Sequence, residues 1–237
     1  MNSVHLMRLF VKVILVNLFL CSTILFFASF AETNADHCQV YKIGNTDEHK
    51  IALTFDDGPH SEKTPAILDV LKQNNIKATF FIVGENANGN ENIIKRIIAD
   101  GHEIGNHTFG HKYLLKVDRH VIEREIDLCD DEIFNYSEYN AKLFRPPGGI
   151  YDDLLTSICN ERGYDMVLWS IDTRDWAGTS AQDIENEILN NISDGAIILM
   201  HDYIGGESFT EVALMNVIPK LKELGYSFVT VSELIGN

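Results

Sequence analysis

Basic residues are scarce in this chain: 19 Lys and Arg stand against 35 Asp and Glu over 237 residues, a net charge of −16. The deficit argues against nucleic acid or an anionic membrane surface as partner, since both demand clustered cationic side chains. The four cysteines, Cys21, Cys38, Cys129 and Cys159, include no Cys-x-x-Cys pair, which disfavours a cysteine-based zinc site. The His-Glu-x-x-His of zinc proteases is also missing: His102-Glu103 begins it, but Asn106 stands where the second histidine belongs. There is no internal repeat and no low-complexity tract. With 45% apolar and 23% charged residues, the composition is that of a globular protein.

Only the first 31 residues carry a long apolar run. Arg8 and Lys12 precede Val13 to Phe30, and Ser29-Phe30-Ala31 offers small residues for a cut after Ala31. This reads as a secretory signal peptide. An uncleaved N-terminal membrane anchor is the alternative, because about 18 apolar residues is near the lower limit for spanning a bilayer. Cleavage would remove two basic and no acidic residues, taking the charge to −18. Three cysteines would remain. Export permits a disulfide; Cys129 with Cys159, Cys38 with either, or three free thiols all stay open. Residues 32–47 are polar and aperiodic, a linker. Residues 48–237 are expected to form one catalytic domain.

From Lys50 onward short apolar runs alternate with helical patterns. Ile51–Phe55, Ala78–Val83, Glu103–Gly105, Leu143–Phe144, Met166–Ile171, Ala196–Met200 and Phe228–Val231 read as strands. Thr64–Asn74, Asn90–Ala99, Val117–Phe134, Asp152–Arg162, Ala181–Ile192 and Glu211–Leu224 read as helices. The alternation predicts an α/β fold with a parallel sheet, and about seven or eight units suit a closed or nearly closed barrel; a doubly wound open sheet is the alternative.

Polar groups recur just past the predicted strand ends: Asp56 and Asp57, His107 and His111, Arg145, Asp172 and Asp175, His201 and Asp202. In a parallel barrel those ends share one face, so five loops deliver groups to one place. His107-Thr-Phe-Gly-His111 sets two imidazoles four residues apart, which on a helical turn would share a face and grip a metal. Asp57 would complete a catalytic metal site, and Asp56 beside it is free to accept a proton from water that the metal acidifies.

These residues carry a resemblance. Thr54-Phe-Asp-Asp-Gly-Pro59, His107-Thr-Phe-Gly-His111, Arg145-Pro-Pro-Gly-Gly149, Asp172-Thr-Arg-Asp-Trp176 and Leu199-Met-His201 follow one another as do the five motifs of the polysaccharide deacetylases, the NodB-homology family or carbohydrate esterase family 4. The resemblance covers about residues 48–235. It implies an irregular (β/α) barrel of about seven parallel strands. It implies a divalent metal, usually Zn2+, on Asp57, His107 and His111. Asp56 would be the general base, held by Arg145, and His201 the general acid, oriented by Asp175. Trp176 and Leu199 would wall the acetyl pocket, and the Gly148 N–H would help bind the oxyanion.

The implied reaction is removal of N-linked acetyl groups from N-acetylglucosamine-type residues of a polysaccharide or oligosaccharide, peptidoglycan or chitin-like, with no protein partner required. O-deacetylation of a polymer such as xylan, or a sugar-binding pseudoenzyme, are the alternatives. One departure stands out: Gly148 replaces a residue that is often bulky in this family, commonly Tyr. Tyr151 is expected to fill part of that space.

Overall fold

In the computed structural model, residues 38–46 and 48–236 are described. The signal or anchor at 1–31 and the first part of the lead-in lie outside them. Among these residues nine strands form the sheet: β1 (Val40–Tyr41), β2 (Lys50–Asp56), β3 (Thr79–Ile82), β4 (Glu103–Asn106), β5 (Leu143–Phe144), β6 (Asp165–Val167), β7 (Ile171–Asp172), β8 (Ile197–His201) and β9 (Ser227–Phe228). Every named pair is parallel, in the order β1-β6-β5-β4-β3-β2-β8-β7, with β9 pairing the start of β2.

That order forces curvature. β6 and β7 lie six strand spacings apart, about 29 Å in a flat sheet. Only Leu168, Trp169 and Ser170 connect them, a reach of at most about 14 Å. The sheet therefore curls until its ends approach, an irregular barrel with eight strands along its path, one more than the seven implied.

Among the described residues eight helices pack around it: α1 (Lys63–Gln73), α2 (Gly84–Ala87), α3 (Glu91–Ala99), α4 (Arg119–Ser137), α5 (Asp153–Glu161), α6 (Ala181–Asn191), α7 (Thr210–Glu223) and α8 (Val231–Ile235). Among the described residues no helix is long and apolar enough to cross a membrane. Local chemistry sets several boundaries. The Asp152 carboxylate accepts from Leu155 N to start α5, and Ser180 Oγ accepts from Asp183 N to start α6.

Strand alternation sorts the side chains. On β2, Ile51, Leu53 and Phe55 face the helices and join the main apolar cluster with Ile67, Leu68 and Leu71 of α1. Ala52 faces the barrel interior with Phe81, Leu143, Val167 and Ile197. Burial of each large aliphatic or aromatic side chain is worth about 1.5–3 kcal/mol. The same period of two then turns Thr54 and Asp56 inward from β2, Leu199 and His201 from β8, His107 from the end of β4 and Arg145 from the end of β5. Hydrophobic residues fill the lower interior, and the functional groups follow them upward.

Three expectations are corrected. Met166–Ile171 is not one strand, because the chain crosses from one end of the sheet to the other there. The last strand stops at Phe228: Thr230 forms a capping box with Glu233 and starts α8 instead. The lead-in is not wholly irregular, since Val40 and Tyr41 pair with Met166 and Val167. Cys38, Cys129 and Cys159 are free thiols.

Candidate active site

Asp56, Asp57, His107, His111, Gly148, Asp172, Trp176, Leu199 and His201 line one cavity of about 320 Å³ at the carboxyl ends of the strands. Arg145 and Asp175 lie behind that lining, each against a residue that faces it. The predicted set is thus brought together.

Asp56 ends β2, only 3% exposed. Its Oδ1 accepts from Arg145 Nη1 at 2.7 Å, and its Oδ2 lies 3.6 Å from His107 Nε2. Arg145 is fully buried and nearly saturated. Nη1 also donates to Thr54 Oγ1 at 2.8 Å, Nε to Val167 O at 3.1 Å and Nη2 to Leu168 O at 2.9 Å. Its guanidinium lies 4.0 Å over the Phe81 ring. A buried cation needs such a full set of acceptors. The break between β6 and β7 supplies two of them.

His107 Nδ1 is 2.6 Å from Arg145 O. A carbonyl can only accept, so Nδ1 carries the proton and the Nε2 lone pair faces the cavity. Asp57 Oδ1 lies 3.4 Å from His107 Nε2 and 3.1 Å from His111 Nε2. Burial works to raise the Asp57 pKa, but the His107 and His111 imidazoles beside it outweigh that and hold the carboxyl far below its usual range. The close Asp57 carboxylate chiefly raises the His111 pKa, against burial. Asp57 Oδ1 is buried yet has no hydrogen bond among the described residues. Donor atoms of these three residues lie within 4.8 Å of one another. A buried carboxylate oxygen without a hydrogen bond, facing two imidazoles with one tautomer fixed, suits a divalent cation.

The two histidines do not share a helical turn, as their spacing suggested. Residues 107–111 form a loop in which Thr108 (φ 68°) and His111 (φ 50°) adopt left-handed backbone. Asn106 Oδ1 accepts from Thr108 N, and Glu125 of α4 accepts from Phe109 N through its carbonyl and from Gly110 N through its carboxylate. These bonds curl the loop so that the rings lie 5.1 Å apart.

Beside Asp56, on the neighbouring strand β8, His201 Nδ1 is 2.7 Å from Asp175 Oδ1. Asp175 is 1% exposed and also accepts from His201 N, Thr210 Oγ1 and Trp176 N. Burial would lower the His201 pKa. The Asp175 hydrogen bond and charge, aided by Asp56 and Asp57, outweigh it and push the imidazole up to about 9.

Asp202, next along, is 1% exposed. Its Oδ2 accepts from Thr64 Oγ1 at 2.7 Å, its Oδ1 has no hydrogen-bond partner, and burial pushes the carboxyl up to about 7. It packs directly beneath Gly58, where a β-carbon would collide with both carboxylate oxygens.

Sequence reasoning missed two aromatic lining residues, Tyr113 and Trp169. Trp169 sits in the sheet break that the apolar run concealed. Tyr113, not Tyr151, occupies the space beside Gly148: a β-carbon there would lie 2.7 Å from Tyr113 Cε1. Tyr151 is not among the cavity-lining residues.

A polysaccharide deacetylase family model matches residues 43–167. A peptidoglycan-N-acetylglucosamine deacetylase of Bacillus cereus is 42% identical over 190 residues, 79% of this chain and 89% of that protein. A solved peptidoglycan N-acetylglucosamine deacetylase, in complex with 4-naphthalen-1-yl-N-oxidanyl-benzamide, superposes with a TM-score of 0.82 at 40% identity, covering 85% of this chain and 94% of that one. A carbohydrate esterase family 4 pseudoenzyme from Bacillus anthracis superposes at 0.78 with 28% identity, covering 84% and 69%. With the motifs converged on one cavity and the barrel shared with these proteins, the chain belongs to the polysaccharide deacetylase family and is a hydrolase of that deacetylase class.

Proposed function

We propose that this protein removes the acetyl group from N-acetylglucosamine-type residues of a bacterial cell-wall or chitin-like glycan, using a divalent cation, Zn2+ by its donor set. The observation that carries the reading is that Asp56 and His201, register partners at the ends of the adjacent strands β2 and β8, line one cavity with the Asp57–His107–His111 cluster. Bound there, the cation would supply Lewis acidity, polarising the acetyl carbonyl and making water a better nucleophile.

The chain's own residues do the rest. Arg145 occupies Asp56 Oδ1, which leaves Oδ2 to accept the proton of the attacking water. Asp175 holds His201 Nδ1, which leaves Nε2–H to protonate the departing nitrogen. An amine leaves poorly without that proton. The Gly148 amide, in a residue that lines the same cavity, would share the developing oxyanion charge. Leu199 and Trp176 wall the space for the acetyl methyl. A pseudoenzyme reading is disfavoured by the presence of the whole set. The sequence of residues 1–31 supports export to the cell envelope.

Acetate release from peptidoglycan, chitooligosaccharides and acetylated xylan tests the reading. Release from the first two is expected. Release from xylan alone would replace it with an O-deacetylase, and no release from any would leave a binding protein.

A further inference from the structure

Tyr113 is 62% exposed, yet it does not sit on a slack loop. Lys112 before it pairs with Glu125 at 2.6 Å, and Leu114 after it is 1% exposed within the cluster of Ile122, Ile126 and Phe144. Two anchored neighbours thus hold a large ring out of the core. No hydrogen bond from its hydroxyl occurs among the described residues. The ring lies over Gly148, whose φ of 66° and missing β-carbon leave room for it. It lines the reacting cavity two residues after His111, as Trp176, 56% exposed, does from a separate loop.

An exposed aromatic face held rigidly beside a reaction centre is suited to an apolar ligand surface. Pyranose rings present such surfaces through their axial C–H groups. Resting on the glycan reading above, we propose that Tyr113 is the specificity-determining residue of this groove, a platform for the sugar unit adjoining the one that loses its acetyl group. Gly148 is bare so that the ring can lie across it. The substrate class is therefore an oligomer of at least two units. In this role Tyr113 positions sugar, not water or proton.

The test uses the full chain loaded with Zn2+, fully N-acetylated chitotetraose as probe, and p-nitrophenyl acetate as a sugar-free ester. Tyr113→Ala is expected to raise KM for chitotetraose about 3–10-fold, the value of one aromatic contact, with kcat within about twofold. The loss on chitotetraose should exceed that on the ester by at least about threefold. Tyr113→Phe, which keeps the ring, should restore most of the affinity. An unchanged KM, a fall in kcat alone, or equal losses on both substrates would overturn the platform. If the wild-type protein cleaves the ester but no N-acetylated oligomer, the glycan reading falls and the platform with it.

Discussion

Arg145 and Asp56 form an ion pair at 2.7 Å in which the cation is wholly buried and the carboxylate nearly so. The pair joins the end of β5 to the end of β2 across the barrel, and through Val167 O and Leu168 O it also ties down the sheet break. The carboxylate proposed as the general base is thereby made part of the structural framework.

Removing one member should be worse than removing both. Arg145→Ala strands a buried carboxylate and is expected to destabilise by about 3–5 kcal/mol. Adding Asp56→Asn should recover part of that loss in urea unfolding, although the double variant stays inactive. Asp56→Asn alone should keep its metal by elemental analysis while acetate release falls about 10²–10⁴-fold. Substantial activity in that variant would remove Asp56 as the base.

The acid branch has a pH signature. The His201 pKa is raised to about 9, so the imidazolium persists at neutrality and is lost as pH rises through the folded value. A cation on Asp57 cancels part of the attraction, so the alkaline limb of kcat should fall at or below about pH 9. Asp175→Asn should move that limb down by at least about one unit. His201→Ala should cost amide substrates more than activated esters, whose leaving groups need no proton.

Metal removal separates site from fold. Chelation should abolish acetate release and leave the circular dichroism spectrum intact, because the barrel is held by its apolar clusters and Arg145. Re-adding Zn2+ should restore activity and raise the melting temperature. His111, with a side chain 40% exposed, should tolerate Ala with weakened metal binding and little loss of stability. His107, 2% exposed, should lose both.

Asp202 predicts a pH-dependent stability in the chelated protein. Its folded pKa of about 7 lies above the ordinary 3.8. The fold therefore favours the protonated form, and the contribution is complete below the unfolded value and lost as pH climbs to about 7. The loss is on the order of 4 kcal/mol at most. Asp202→Asn should flatten the decline in melting temperature between pH 5 and 8; an unchanged slope would count against a buried, raised carboxyl.

Much of this was legible from one chain. Alternating apolar runs exposed the strands, and the parity of β2 carries Asp56 inward as surely as it carries Ala52. The five motifs named the groups that meet. What stayed hidden depends on partners distant in sequence. Nothing in Met166–Ile171 announces that Arg145 takes two carbonyls there. His107 and His111 look helical until Glu125 is seen holding their loop. The space at Gly148 is filled from position 113, which no local pattern relates to position 148.

Gly58 and Asp202 illustrate how such constraints behave under change. The glycine reads as an ordinary turn residue, yet a carboxyl group 144 positions later in the chain, from the end of the neighbouring strand β8, presses against it. Neither site should vary freely by itself. A side chain at 58 is expected to be tolerated only in a background where 202 has already been shortened, so the order in which the two substitutions arise decides whether a lineage can pass from one state to the other.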